Sequence, residues 1–268
     1  MQIVVGVDGS KSAHNAVAWS AGAARALDAE LLLVSVVDPC ADAEACELRL
    51  LSEWSVPAQK ARAPFRTEVL VGDPRLELLE VATHAGAPLV VVGGGRESWF
   101  PALHLGSTSH YLAQHTDRPV AVIPDVDRFD AAHVVVGLDG SEGSAASARW
   151  AAWMAHGAGG DVTAVHAWQH SPARVARCTG GSNSQDEAEG ACRAWAHEVD
   201  AAGVLAAAVA MEAEPVDALL KAVASCGAGM LVLGTRGAGG FLSLRLGSVA
   251  LRALQEAHVP VVLVPPGA

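Results

Sequence analysis

Basic residues are scarce in this chain of 268 residues: 18 Lys and Arg stand against 29 Asp and Glu, for a formal net charge of -11. A protein of this charge repels the phosphate backbone of nucleic acids and anionic lipid headgroups unless a basic patch locally reverses the field. The sequence contains no such patch. We therefore expect neither nucleic acid nor a membrane among its partners.

Cysteine is also infrequent, and its spacing excludes two common uses. The five cysteines are an odd number without a CxxC pair, so the sequence indicates neither a disulfide framework nor a zinc knuckle. The eleven histidines form no HExxH or HxH arrangement. We expect reduced thiols and no metal site.

Long apolar runs are missing as well. The longest, such as residues 3–7 and 31–37, fall far short of the roughly 20 residues that a membrane-spanning helix needs. The sequence starts directly in a strand-like segment, without the pattern of a signal peptide. We expect a cytoplasmic protein, whose 51% hydrophobic residues suffice for sizeable cores.

The most informative feature is an internal repeat. VGVDGS at residues 5–10 recurs as VGLDGS at 136–141, LVVVG at 89–93 as MLVLG at 230–234, and LGS at 105–107 as LGS at 246–248. The second copy is longer than the first between its VGLDGS and MLVLG segments. We assign the additional residues to the stretch 179–184, which is rich in Gly, Ser and Asn. We predict two domains, at residues 1–127 and 131–268.

Within each copy, short apolar or β-branched runs alternate with helical patterns, which is typical of βαβ units and a parallel sheet. The predicted fold class is therefore α/β, with a five-stranded parallel sheet flanked by helices in each domain. The first helix follows residue 10, with Ser10 or Ser12 as its N-cap. The predicted strands are residues 2–7, 31–37, 66–71, 89–92 and 119–123, and then 133–138, 162–167, 206–212, 230–233 and 261–264.

In such sheets ligands bind beyond the carboxyl ends of the strands. After the fourth strand of the second copy, Gly234 and Gly237 are followed by nine residues and then by Gly247 and Ser248, which open a helix. We expect Gly234 to let a ligand approach the backbone and Gly237 to adopt a positive φ. Gly247 would leave the amides at the helix start open to a phosphate.

These residues resemble the universal stress protein family, whose nucleotide-binding members carry G-x2-G-x9-G-[ST] after strand four. The resemblance covers nearly the whole chain as two tandem copies. It implies Rossmann-like domains of the adenine nucleotide alpha hydrolase-like type and ATP as ligand, with or without Mg²⁺. In the second copy it assigns the adenosine end to Asp139 and Ala167, and the phosphates to the glycine motif and the following helix, including Val249.

The first copy matches the same pattern less completely. The resemblance assigns the adenosine end to Asp8 and Val36, and the phosphates to Gly93, Gly106, Ser107 and Thr108. Arg96 stands where the motif has its middle glycine, and Gly95 is a possible substitute for the turn. We therefore expect nucleotide binding chiefly in the second domain.

Two other classes of function remain open. The sequence has no GxxxxGK[ST] loop and no lysine after either glycine motif, so we assign no catalytic residue and expect at most slow ATP hydrolysis. A nucleotide-free interaction scaffold with an unknown protein partner is the other alternative. We prefer a nucleotide-dependent regulator of the stress response.

Two predictions concern packing. Universal stress proteins commonly pair as dimers, which implies that the two copies pair within one chain through strands 119–123 and 261–264; a homodimer of whole chains is also possible. Trp19, Trp150 and Trp153 are interpreted as core residues on helices.

Overall fold

Short runs of valine, leucine and isoleucine form the strands of two domains. The structure is a computed structural model that describes residues 1–95, 106–125, 132–169, 185–237 and 246–267. The chain divides into two units, domain 1 (Met1–Phe129 with Ala257–Pro260) and domain 2 (Asp130–Glu256 with Val261–Ala268). The exact predicted limits, 1–127 and 131–268, stay a prediction.

Domain 1 has a parallel sheet in the strand order β3-β2-β1-β4-β5. Its helix α1 packs against β1, β4 and β5, and α4 packs against β1 and β2. The strands are β1 Gln2–Gly6, β2 Glu30–Val37, β3 Phe65–Val71, β4 Val90–Gly93 and β5 Val120–Ile123. The helices are α1 Lys11–Leu27, α2 Ala43–Arg49, a π-helical turn Leu50–Trp54, α3 Val56–Ala61, α4 Pro74–His84 and α5 Ser107–His115.

Domain 2 repeats this arrangement in the order β8-β7-β6-β9-β10, again with parallel neighbours. The strands are β6 His133–Gly137, β7 Asp161–Trp168, β8 Leu205–Glu212, β9 Met230–Gly234 and β10 Val261–Val264. The helices are α6 Glu142–Ala158, α7 Gln185–Trp195, α8 His197–Ala201, α9 Pro215–Cys226 and α10 Ser248–Glu256.

The α/β prediction is confirmed, and every predicted strand is present with ends that differ by only a residue. Strands such as β4 and β10 are buried along nearly their whole length, as expected when helices cover both faces of a parallel sheet. The segment 179–184, predicted to hold the extra length of the second copy, lies outside the described residues. Among the described helices, none is long and apolar enough to cross a membrane.

The repeated VGxDGS segment ends strand one and starts the next helix in each domain. Ser10 Oγ accepts a hydrogen bond from the amide of Ala13 at 3.1 Å, and Ser141 Oγ accepts from Ser144 at 3.1 Å. Both serines have extended backbone, so they are the N-caps of α1 and α6. Of the two predicted caps for α1, Ser10 is the one observed.

The first glycine of the segment makes room for a helix. A Cβ on Gly137 would lie 2.6 Å from Leu233 Cδ2 and 3.1 Å from Leu219 Cδ2 on α9. Gly6 has the same position in domain 1, where a Cβ would lie 2.9 Å from Leu78 Cδ1 on α4. The glycine therefore allows close packing between the end of strand one and the helix above it.

The tryptophans divide into two groups. Trp19 and Trp150 are buried, with 2% and 6% exposure, in agreement with the core interpretation. Trp153 is 39% exposed, so the core interpretation is wrong for this residue. It lies on the outer side of α6 and lines a shallow cavity of about 390 Å³ with Arg149 and Glu198.

We expect Gly137→Ala to destabilise domain 2 by about 1–3 kcal/mol, because the added methyl group overlaps two buried leucine side chains. The matched control is Gly190→Ala on α7, where a Cβ has no neighbouring atom within 4 Å. The control should stabilise the helix by about 0.5–1 kcal/mol. Denaturant unfolding of both variants checks the pair, and equal stability of the two would contradict the packing described.

Candidate functional site

The aspartate after strand one is held by the helix cap that follows it. Asp139 Oδ1 accepts hydrogen bonds from the Ser141 amide at 3.0 Å and from the Ser141 hydroxyl at 2.6 Å. In domain 1, Asp8 Oδ1 accepts from the Ser10 amide at 2.9 Å. Both aspartates are exposed at the carboxyl ends of their strands. Each aspartate therefore anchors the capping serine and still presents its carboxylate to solvent.

A tryptophan covers the glycine next to each aspartate, a contact that the sequence did not single out. Gly140 and Gly9 both have φ +77°, in the left-handed region. A Cβ on Gly140 would lie 2.6 Å from Trp195 Cζ2, and one on Gly9 would lie 2.5 Å from Trp54 Cζ2. The signal was available, because the two tryptophans stand at matching distances before the LVVVG and MLVLG anchors.

Gly234 faces the neighbouring helix, so the lack of a side chain serves helix packing, and its opening of the backbone to a ligand stays a prediction. A Cβ there would lie 2.9 Å from the carbonyl carbon of Gly143, in the first turn of α6. Gly93 has the same environment, since its Cβ would lie 2.8 Å from the carbonyl carbon of Ser12. Both glycines let the helix after strand one approach the end of strand four.

Gly237 contacts the strand-one aspartate directly. Its φ lies outside the left-handed region, so the predicted positive φ is wrong. A Cβ at this position would overlap Asp139 Oδ2. The glycine is needed because the carboxylate lies against its backbone, and this contact joins the strand-one turn to the glycine loop.

Gly247 continues the same cluster. Its amide donates to Thr235 O at 2.8 Å, and a Cβ on it would lie 3.8 Å from the Gly237 amide nitrogen. Ser248 and Val249 follow as the first residues of α10, with Ser248 exposed and Val249 half-buried. Because first-turn amides have no partner within their own helix, this end of α10 is suited to an anion.

The loop of domain 1 shares the hydrogen bond of Gly247 to Thr235 at its equivalent positions but differs in one backbone angle. Here the positive φ falls on Gly95, at +100°, whereas Arg236 at the matching place in domain 2 has no left-handed φ. The Gly106 amide donates to Gly94 O at 2.8 Å, and Gly106 caps α5 without a side-chain hydrogen bond. Ser107 and Thr108 are the first residues of α5. Arg96, in the motif position, lies outside the described residues.

The small apolar residues assigned to the adenosine end occupy the expected strand ends. Val36 is the last residue but one of β2, and Ala167 is the last residue but one of β7. Both are half-buried. Their strands pair in parallel with strand one of their own domain. In domain 2, the neighbouring His166 donates a hydrogen bond from Nδ1 to Leu138 O at 2.9 Å, which brings the ends of β6 and β7 together.

The predicted residues of domain 2 thus fall into one cluster. The Asp139 carboxylate approaches Gly237, the Gly247 amide donates to Thr235 O in the same loop, and Ala167 lies near the end of the adjacent strand. Within the described ranges, no three His, Cys, Asp or Glu side chains are grouped so that they could hold a metal ion. The cluster combines an exposed carboxylate with a helix start, which suits a ligand that has both hydroxyl and anionic groups.

Comparison with known proteins identifies the family of the chain. The model of the universal stress protein family matches residues 1–124 and again 131–265. The chain belongs to the universal stress protein family and carries two tandem domains of it.

Relatives of similar length support the tandem organisation. Universal stress protein Rv1996 of Mycobacterium tuberculosis is 30% identical over 301 residues, covering 97% of this chain and 94% of the relative. Universal stress protein Rv2623 of the same organism is 29% identical over 293 residues, covering 97% and 95%. The crystal structure of a universal stress protein from Archaeoglobus fulgidus has a TM-score of 0.77 at 19% identity, covering 99% of this chain and 98% of that one, and shows the shared fold.

His166 makes the stability of domain 2 dependent on pH. Burial lowers the pKa of its imidazole, more than the hydrogen bond to Leu138 and the charge of Asp139 raise it. The folded state therefore binds a proton less readily than the unfolded state, whose histidine titrates near pH 6.5. Stability is expected to fall as the pH drops below that value, by at most about 1.4 kcal/mol per pH unit for one proton.

The matched variant is His166→Ser, which introduces the residue that domain 1 has at this place, Ser35. Denaturant unfolding at pH 7.5 and pH 5.5 should show a smaller loss of stability in the variant than in the unsubstituted protein. An equal loss in both proteins would assign the pH dependence to other groups.

Proposed function

We propose that the protein binds ATP, chiefly in domain 2, and acts as a nucleotide-dependent regulator in the stress response. The observation that carries the proposal is the contact between the exposed carboxylate of Asp139 and Gly237, beside the start of α10. This contact places a hydroxyl-binding group and an anion-binding group in one cluster. ATP has a ribose and phosphates that match the two groups.

The nucleoside half of ATP is assigned to Asp139 and Ala167. A carboxylate at this edge of a Rossmann-like sheet accepts hydrogen bonds from ribose hydroxyls. The Asp139 carboxylate is prearranged for this role because Ser141 donates two hydrogen bonds to Oδ1. Ala167 ends the adjacent strand with a small side chain, which leaves room for the base.

The phosphate half is assigned to Gly237, Gly247, Ser248 and Val249, with Gly234 setting the course of the loop against α6. The first-turn amides of α10 and the exposed Ser248 hydroxyl are donors for an anion. Hydrogen bonds to a charged group contribute roughly 1.5–3 kcal/mol each, so an acidic protein still binds phosphate. Mg²⁺ would accompany the phosphates, since this ion is usually held by substrate phosphates and few protein ligands.

Domain 1 is a second, weaker candidate for ATP. Asp8, Val36, Gly93, Gly106, Ser107 and Thr108 occupy the corresponding positions. The glycine loop has its positive φ at Gly95, and Arg96 replaces the glycine that receives the carboxylate in domain 2. The approach of Asp139 to Gly237 in domain 2 thus involves a glycine that the sequence of domain 1 lacks.

ATP is proposed as a bound ligand that determines which conformation the protein adopts. The glycine motifs have no lysine to clamp phosphate and no assigned base to activate water. A nucleotide that binds two conformations with different affinity shifts their populations and so reports its level to a protein partner. Pairing of the two domains within a chain, and of chains into a homodimer, stay predictions.

Gly237→Ala should weaken ATP binding in domain 2 about 10- to 100-fold, because the methyl group displaces the Asp139 carboxylate and one charged hydrogen bond is lost. Calorimetric titration of nucleotide-stripped protein measures the effect, with Gly190→Ala as the control that leaves affinity unchanged. Tight binding that survives Gly237→Ala and disappears on Gly106→Ala would assign the better site to domain 1. Absence of binding in the unsubstituted protein would favour the nucleotide-free scaffold.

Steady-state release of phosphate from Mg²⁺-ATP should be slower than about one turnover per second, the lower end for dedicated enzymes. A coupled phosphate assay on the unsubstituted protein measures this rate. The same assay on Asp139→Asn is the control for contaminating ATPase, whose signal would not follow the substitution. Faster turnover that disappears in Asp139→Asn would show that the protein is an ATP hydrolase and not a nucleotide-dependent regulator.

A further inference from the structure

Each strand-one turn has an indole ring against its glycine. The aromatic ring of Trp195 approaches Gly140 so closely that a Cβ there would lie 2.6 Å from Cζ2 and 2.7 Å from Cε2. Trp54 meets Gly9 in the same way, at 2.5 Å and 2.7 Å for the same two atoms. Both glycines are exposed and have the same φ of +77°. The contact is therefore a property of both domains.

The two domains bring their tryptophan to this place by different routes. Trp54 is the last residue of the π-helical turn Leu50–Trp54, whereas Trp195 is the last residue of the α-helix Gln185–Trp195. π-Helical turns are rare and occur frequently at functional sites. Different local structures that end in the same contact indicate that the contact itself is what both domains require.

Each indole contacts a second residue besides the glycine. His166 meets Trp195 edge to face, with ring centroids 4.8 Å apart, and Arg49 lies 4.8 Å from the ring centroid of Trp54. Both tryptophans are half-buried. A ring fixed in this way is a rigid surface for the turn beside it.

A rigid surface matters here because glycine has more backbone freedom than any other residue. Gly140 stands between Asp139, whose carboxylate reaches Gly237, and Ser141, which donates to that carboxylate. A rotation at Gly140 changes the direction of the Asp139 carboxylate. The indole opposes such a rotation by occupying the space beside the glycine.

We propose that Trp195 is a positioning residue for the nucleotide site of domain 2, acting through Gly140 on the carboxylate of Asp139, and that Trp54 does the same for Asp8. This inference rests on the proposed function and deepens it, because it assigns part of the affinity to a residue outside the motif. Trp195 does not need to touch the nucleotide. Its effect on affinity must then depend on the presence of the carboxylate.

The test is a double-substitution cycle in the full chain, in a background carrying Asp8→Ala so that domain 2 reports alone. ATP affinity is measured by calorimetry for Trp195→Ala, Asp139→Asn and the pair. Trp195→Ala should weaken binding about tenfold, the size usual for residues in contact. In the Asp139→Asn protein the same substitution should change affinity by less than about twofold, because its target is gone.

Trp195→Phe and Trp153→Ala complete the set. The phenylalanine ring still covers Gly140, so Trp195→Phe should recover most of the affinity, and this recovery is the deciding measurement if the alanine variant does not fold. Trp153 is an exposed tryptophan in the same domain, and Trp153→Ala should leave affinity unchanged. Thermal unfolding without nucleotide records the structural effect of each variant.

The outcomes separate this inference from the proposed function. Independent, multiplicative losses from Trp195→Ala and Asp139→Asn overturn the positioning role, as does unchanged affinity in Trp195→Ala. If Asp139→Asn leaves no measurable binding, the phenylalanine variant decides: a loss equal to that of alanine overturns the inference. Failure of the unsubstituted protein to bind ATP overturns the proposed function and this inference together.

Discussion

The candidate site of domain 2 depends on one close approach, that of the Asp139 carboxylate to the backbone of Gly237. The aspartate belongs to the turn after strand one and the glycine to the loop after strand four, so the contact joins the two strand ends at which a parallel sheet binds ligands. Ser141 fixes one oxygen of the carboxylate and Gly237 leaves space for the other. The assignment of ribose and phosphate to neighbouring groups follows from this contact.

The fold was largely predictable because its determinants are local. Apolar runs set the strands, and the serine of VGxDGS caps the helix that follows it a few residues away, so both can be recognised in a short window of sequence. The alternation of strands with helical patterns then restricted the sheet to parallel connections. The resemblance to the family supplied the candidate residues Asp139 and Ala167, and the structure has them at or just beyond the carboxyl ends of β6 and β7.

The physical reasons for the site residues were harder to predict, because they depend on neighbours far away in the chain. Position 234 requires glycine because α6 packs against it. Position 237 requires glycine because the Asp139 carboxylate lies against it. The left-handed turn expected at Gly237 is absent, whereas Gly95, the possible substitute for the turn in domain 1, has a positive φ. Trp54 and Trp195 were overlooked for the same reason: only the folded chain brings each of them to a glycine that lies some fifty residues earlier, before β2 or β7.

The packing of VGxDGS bears on what the internal repeat says about ligand binding. Its first glycine makes room for leucine side chains, its second lies under an indole, and its serine caps a helix. These three packing constraints apply whether or not a domain holds a ligand. The segment that makes the repeat visible is therefore a folding signal, and it does not by itself identify a ligand site.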